Sequence, residues 1–321
     1  MTIPPPSAAT KHVVIGAGPA GRATAKYLQA QGHHVILASR TGTGHEVAGV
    51  HRVPLDATDS NALTALVDGA AAMYNCMNPT AYTRWAQEWP PLHRALMHTA
   101  RATGTVLVTL SNLYMYGPMR HHAPITPDTA EEPQDTKGDI RGRMDRETLQ
   151  AHQSGALRAV VVRASDFIGP ELGDNGHATR NIPTIAAGRT VRVIGSADQP
   201  HSWTNIDDVA AILATVAARD DAHGRIWFAP TNPPVTQREL TGDLARALNR
   251  PVPKVTAMPQ PLLRLLAKVS PMLRELHSIS YQFANPWVID SSATTQALGL
   301  HPTDWETIIQ QAAHGNLPQS S

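Results

Sequence analysis

The sequence predicts an α/β fold: a Rossmann-type doubly wound parallel sheet with a smaller C-terminal lobe that holds the substrate. Three observations predict it. Short apolar runs alternate with helical patterns through the first half of the chain. The segment Lys11-His-Val-Val-Ile-Gly-Ala-Gly-Pro-Ala-Gly21 reads as a strand that ends in a glycine turn and opens a helix. A second strand, His34-Val-Ile-Leu-Ala-Ser39, follows about 20 residues on, the spacing of a dinucleotide-binding unit.

The glycine turn is the most specific element. Gly16 permits the tight turn, Gly18 lets backbone approach a pyrophosphate, and Gly21 lets the helix pack on the strand, with helix-start N–H groups facing the phosphates. What ends the second strand selects the cofactor. An Asp or Glu there would accept from ribose hydroxyls, as in NAD or FAD sites, whereas Ser39 and Arg40 offer a hydroxyl and a cation that suit the 2′-phosphate of NADP(H). The Gly-Ala-Gly-Pro-Ala-Gly string by itself looks like that of a flavoprotein monooxygenase, but the missing acid counts against FAD. NADP(H) is therefore expected ahead of NAD(H), with Arg40 as an ordinary solvated residue the alternative.

Further strands are expected at 51–54, 71–76, 106–110 and 159–163. The dinucleotide-binding domain is expected over 11–165, with later strands returning from about 203–230, and 166–321 mainly in the substrate lobe. A helix near 207–219, a strand at 225–228 and a helix at 236–248 belong to that second part, and residues 1–10 and 314–321 read as loose tails. The polar stretch 119–136, with three prolines and the pair His121-His122, has the length of a functional lid. No third ligand stands at useful spacing from the His pair, so no metal is expected.

Composition narrows the class. The 321 residues are 42% hydrophobic and 17% charged, with a net charge of +1 and no run of Lys or Arg, so neither nucleic acid nor an anionic membrane is an expected partner. The single cysteine, Cys76, lies in an apolar segment and reads as a buried, inert thiol. No apolar run approaches the roughly 20 residues of a membrane helix, and the N-terminus has no signal-peptide core, so the cytoplasm is the expected compartment. A small-molecule substrate is expected; a homodimer is compatible with the helices, none of which carries a stripe that names an interface.

Six further segments, in order, carry a resemblance: Leu55-Asp56-Ala-Thr-Asp59, Tyr74-Asn75-Cys76, Thr109-Leu-Ser-Asn112-Leu-Tyr114-Met-Tyr116-Gly-Pro118, Arg163-Ala-Ser-Asp-Phe167-Ile-Gly-Pro170, Trp203-Thr-Asn-Ile-Asp-Asp208-Val-Ala210, and Asp290-Ser-Ser with Leu298-Gly-Leu-His-Pro302. The chain resembles the extended and atypical short-chain dehydrogenase/reductases, specifically the NAD-dependent epimerase/dehydratase group, over nearly its whole length. The resemblance implies that Asp56 bonds the adenine amino group, that Asn75 lies by the adenosine ribose and pyrophosphate, and that Phe167 sits near the nicotinamide.

The chain departs from the family where chemistry is decided. Members carry Tyr-x-x-x-Lys on a helix, the Lys lowering the phenol's pKa and the Tyr exchanging a proton with the substrate oxygen. Here Lys137 stands for the Tyr and Arg141 for the Lys, while Asn112 replaces the usual Ser or Thr. Lys137-x-x-x-Arg141 places two cations one turn apart. The arrangement resembles the isoflavone and pinoresinol reductase branch, in which a Lys is the acid/base group; the alternative is a solvated basic helix face shared with Arg143 and Arg146. Tyr116 aligns with a tyrosine that packs or touches substrate, and Tyr114 is the other phenol nearby. His201 stands where sugar-nucleotide epimerases carry a diphosphate-gripping Arg, and a neutral imidazole replaces a bidentate cation poorly. With Trp203, Phe167 and the apolar stretch 261–266, it suggests a pocket for a less charged, more hydrophobic substrate.

The expected activity is NADP(H)-dependent oxidation or reduction at a carbonyl or activated double bond of a small metabolite. Lys137 would handle the proton, and Arg141, Asn112 and Tyr116 would orient ribose and substrate. An epimerase or dehydratase that uses the nicotinamide transiently, and a non-catalytic redox sensor resembling the NmrA-like regulators, are the alternatives.

Overall fold

The computed structural model describes residues 9–79, 81–118, 123–258, 268, 274 and 277–317. The pair His121-His122 and the stretch 261–266 lie outside the described residues.

Strand β1 (Lys11–Ile15) begins a buried apolar run whose side chains alternate between two cores. Val14 faces one core with Leu28 of helix α1 (Pro19–Ala30) and Leu213 of the helix Ile206–Ala218. Val13 and Ile15 face the other, with Leu63 and Leu96. A strand covered on both faces has no polar side to show, which is why these strands read as continuous apolar runs.

The strands that follow are β2 (His34–Ser39), β3 (His51–Pro54), β4 (Ala72–Asn75), β5 (Val106–Ser111) and β6 (Ala159–Arg163). Helices α2 (Ser60–Val67), α3 (Trp85–Thr103) and α4 (Thr136–Gln153) lie between them. Among the described residues seven parallel strands form one sheet in the order Ile226–Phe228, β6, β5, β4, β1, β2, β3. This is the Rossmann-type doubly wound sheet expected, and the strand order reverses between β1 and β4. A ligand crevice opens at the carboxyl ends of strands at such a switch point.

Beyond β6 a third core joins Ile168, Ile182, Val191, Trp203, Leu244 and Ile308. The C-terminal tail starts later than residue 314, because the helix Trp305–Gly315 runs on to Gly315. Asn316 then donates from Nδ2 to Gly169 O at 2.8 Å and accepts from Gly173 N at 2.7 Å.

The described part of the 119–136 stretch is pinned to the core. Ile125 N donates to Val288 O at 2.7 Å, and Glu131 accepts from Arg163 Nη2 at 2.6 Å and from Arg146. Helix α4 then begins with Asp135 as its cap, accepting from Gly138 N at 2.9 Å.

Candidate active site

A cleft of about 1050 Å³ runs along the carboxyl ends of β1, β2, β4 and β5. Its first wall is the glycine turn. Gly16 has φ +105°, a conformation that L side chains rarely adopt, and its Cβ would strike Cys76 O at 2.8 Å. A Cβ on Gly21 would lie 1.7 Å from Gly16 O, so the helix can approach the strand only without one. A Cβ on Gly18 meets nothing within 4 Å and projects into space at the cleft wall. Gly18 also caps α1 with no side-chain hydrogen bond, which leaves the first N–H groups of the helix for an anion. These features fit a dinucleotide pyrophosphate.

Ser39, Arg40 and Asp56 line the next section. Ser39 Oγ accepts from Gly42 N at 3.2 Å, and Arg40 is exposed on the rim. Asp56 Oδ1 accepts from Thr58 N at 2.9 Å and Thr58 Oγ1 at 2.7 Å. These bonds, with the Arg40 charge beside them, hold its carboxyl below the usual range. Asn75 is not in the wall: it is buried, and its Oδ1 accepts from Met77 N at 3.3 Å in the turn that presents Cys76 and Met77 to the cleft.

At the far end the wall is formed by Tyr82, Trp85, Asn112, Tyr114, Arg141, Asp166, Phe167, His177 and Gln282, among others. The Tyr114 and Tyr82 hydroxyls lie 3.2 Å apart, and Tyr114 stacks on Trp85 at 6.0 Å. Asn112 Oδ1 accepts from Tyr114 N at 3.2 Å, an Asx turn that fixes the phenol's backbone and leaves the amide NH₂ as a donor. Burial first, then the neighbouring Tyr82 and Asp166, push the Tyr114 phenol well above its ordinary pKa. Arg141, 3% exposed, donates from Nη2 to Leu110 O at 2.6 Å and lies over the Trp89 ring at 4.6 Å. Its Nε and Nη1 find no partner among the described residues, so a buried guanidinium at the cleft keeps two donors unspent there.

The NAD dependent epimerase/dehydratase family matches residues 12–228. The chain belongs to this family. The family is named for NAD-dependent epimerases and dehydratases. The chain is 28% identical over 253 residues to the 2′-dehydrokanamycin reductase of Streptomyces kanamyceticus, covering 74% of this chain and 66% of that protein. It is 31% identical over 140 residues to a methionyl-tRNA formyltransferase of Arthrobacter sp., covering 41% of this chain and 44% of that protein. The chain thus spans between about half and two thirds of these relatives. The UDP-glucose 4-epimerase of Brucella ovis, solved with NAD, superposes with a TM-score of 0.77 at 21% identity, covering 97% of this chain and 99% of that one.

The two helix residues expected in place of the family pair, Lys137 and Arg141, are separated by the fold. Both are buried, so neither belongs to a solvated face, whereas Arg143 and Arg146 are exposed. Only Arg141 reaches the cleft wall. Lys137 donates from Nζ to Ser278 Oγ at 2.7 Å, pairs with Asp135 Oδ2 at 3.5 Å, and stands 5.6 Å from the Tyr82 ring centre. Its ammonium therefore sits behind Tyr82. Gly138 explains how the helix comes so near: a Cβ there would strike Tyr114 O at 2.5 Å.

Tyr116 turns away from the cleft. Its hydroxyl accepts from Arg163 Nη1 at 2.7 Å, and burial, opposed by Arg163, pushes the phenol up to about 12. Arg163 is 1% exposed and also donates to Asp145 Oδ2 at 2.9 Å. Ser111 Oγ reaches the same carboxylate at 2.8 Å, on the opposite side of β5 from Asn112. Tyr116 is thus part of a buried ionic lattice that holds the strand ends.

Trp203 and His201 also lie off the wall, 2% exposed each. Trp203 Nε1 donates to Val235 O at 3.1 Å, and its ring lies 4.5 Å from His201. His201 Nε2 lies 2.9 Å from Asp166 Oδ2, so the residue that faces the cleft is Asp166. The wall expected to be hydrophobic mixes the rings of Tyr82, Trp85 and Phe167 with the polar Asp166, His177 and Gln282. Tyr82, Trp85, Asp166 and His177 escape a reading by family motif, because three of them stand outside any motif and Asp166 sits inside one as an unremarked neighbour of Phe167. Among the described residues no group of three or more His, Cys, Asp or Glu could hold a metal ion, and no helix is long and apolar enough to cross a membrane.

Proposed function

We propose that this chain is an NADP(H)-dependent oxidoreductase that reduces a carbonyl of a small metabolite, with residues 166–321 contributing Asp166, Phe167, His177 and Gln282 to the substrate side. The observation that carries the cofactor preference is Arg40, exposed on the cleft rim at the end of β2, with Ser39 and Thr41 beside it and no carboxylate at the strand end. The nicotinamide, when bound, supplies the hydride. Arg141, with two unspent buried donors, holds the ribose hydroxyls at that end. Asn112 and Tyr114 face the substrate oxygen together, in the place of the family's hydroxyl and phenol.

Tyr114 is the proton donor in this reading. Its raised pKa keeps it a neutral phenol at physiological pH, suited to protonating an oxyanion as it forms. The phenolate left behind accepts from Tyr82 and lies in the field of Arg141. Lys137, on the far side of the Tyr82 ring, acts as a positioning residue for this phenol pair. The test of the cofactor reading is a titration of NADPH against NADH. NADPH should bind more tightly, and Arg40→Ala should cost it about 10- to 100-fold, the worth of one hydrogen bond to a charged group. Equal affinities, unmoved by Arg40→Ala, overturn it.

A further inference from the structure

Asp166 enters the cleft wall with half of its carboxylate already used. Oδ2 is held 2.9 Å from His201 Nε2, and His201 Nδ1 lies 3.2 Å from the backbone carbonyl of Gln282. A carbonyl can only accept, so Nδ1 carries a hydrogen, and Nε2 and Oδ2 share a single proton between them. His201 is stacked on Phe283 at 4.6 Å and packed at a tilt against Trp203 at 4.5 Å, and cannot swing away. The other oxygen, Oδ1, takes no hydrogen bond from any described residue, while the side chain is 27% exposed and lines the cleft. Burial opposes ionisation of Asp166, but the hydrogen bond and charge of His201, with the Arg180 charge among the smaller contributions, hold the carboxyl below its usual range.

His177 stands on the same wall and its tautomer is fixed by its partner. Gln237 donates from Nε2 to Ile194 O at 2.9 Å and Ser196 O at 2.8 Å, so its Oε1 is the atom 3.3 Å from His177 Nε2. His177 Nε2 must donate, which leaves Nδ1 with a lone pair. Burial pushes the His177 pKa down to about 4, so the ring is neutral and adds no positive charge to the wall. Two acceptors, Asp166 Oδ1 and a neutral imidazole, thus occupy one end of the cleft.

We infer that Asp166, backed by His201 and flanked by His177, is the recognition site for a protonated amine on the substrate. An ammonium brings several N–H donors and no acceptor, the complement of a carboxylate beside an imidazole lone pair. A neutral hydroxyl offers one donor, and a carboxylate or phosphate would bring only acceptors to the Asp166 and His177 acceptors. The assignment rests on the cleft being the substrate site of the oxidoreductase proposed above, where the Arg141 donors are taken up by the cofactor ribose.

The test uses three ring-matched probes on the whole chain: cyclohexylamine, cyclohexanol and cyclohexanecarboxylate, titrated calorimetrically at pH 7 with and without NADPH. Cyclohexylammonium should bind about 10- to 100-fold more tightly than cyclohexanol, the ratio that one charge-assisted hydrogen bond gives. The carboxylate should bind weakest, and Asp166→Asn should abolish the preference. Asp166→Glu, which keeps the charge, should retain part of it. Cyclohexanol or the carboxylate binding as well as the amine, no binding of the amine, or a preference that survives Asp166→Asn overturns the assignment. NADPH binding without an amine preference overturns this assignment alone, and an amine preference without NADPH binding overturns the cofactor reading alone. Should Asp166→Asn fail to fold, the order of the three probes on the parent chain still decides.

Discussion

Tyr114 and Tyr82 bring their phenol oxygens to 3.2 Å at the cleft wall, one from the turn after β5 and the other from the segment before α3. Two hydroxyls in contact can pass a hydrogen bond from one to the other as charge develops, and in the proposed reaction this pair supplies the proton. Tyr114→Phe should therefore lower single-turnover NADPH oxidation, assayed against a panel of small ketones, by about 10²- to 10⁴-fold with NADPH affinity retained. Lys137→Met should cost less than Tyr114→Phe, since the ammonium acts from behind Tyr82. The reverse order would make Lys137 the proton donor after all.

The glycine turn separates a binding role from a folding one. Gly18→Val places its side chain in open space, so the variant should fold with a native circular dichroism spectrum and lose NADPH binding. Gly21→Val must displace the Gly16 carbonyl and should lower the unfolding midpoint as well. A Gly18→Val protein that binds NADPH like the parent would show that no pyrophosphate lies against this turn.

Arg163 is the keystone of the ionic lattice that fixes the strand ends beneath the site. Arg163→Met removes one partner of Glu131, which keeps Arg146, and the cationic partner of Asp145, which is left a buried carboxylate, at a cost of about 3–5 kcal/mol in urea unfolding. Combining it with Asp145→Leu should recover part of that loss. A single variant as stable as the parent would mean that water reaches these carboxylates freely.

His12 gives the chain an acid-sensitive point far from the cleft. It is 7% exposed and lies between Tyr74 Oη at 3.0 Å and Thr10 Oγ1 at 2.8 Å; burial, then the His33 charge, push its pKa down to about 4. The unfolded chain therefore binds this proton near pH 6.5, before the folded chain does. Stability should fall as pH drops from about 6.5 to 4 and level off below, by up to roughly 3 kcal/mol and less where water screens the site. Urea unfolding across that range should be flatter for His12→Gln than for the parent, and identical slopes would place the acid sensitivity elsewhere.

The sequence by itself determined the sheet, the glycine turn and the cation at the end of β2. These features are local: a parallel strand buried on both faces must be a short apolar run, and a phosphate-binding turn must have glycine at fixed offsets. The resemblance also singled out Asn112, Lys137 and Arg141 as expected departures from the family pattern. What it could not give was which of these side chains reach the cleft. Lys137 and Arg141 are equivalent by helical spacing, and only the approach of α4 over Gly138, together with the contact from Ser278, turns one toward the wall and the other behind Tyr82. His201 and Asp166 lie 35 residues apart, and their contact depends on two strands, Asp166–Ile168 and Trp203–Asn205, pairing side by side. Distances of that kind are set by packing between elements far apart in the chain, and no local pattern encodes them.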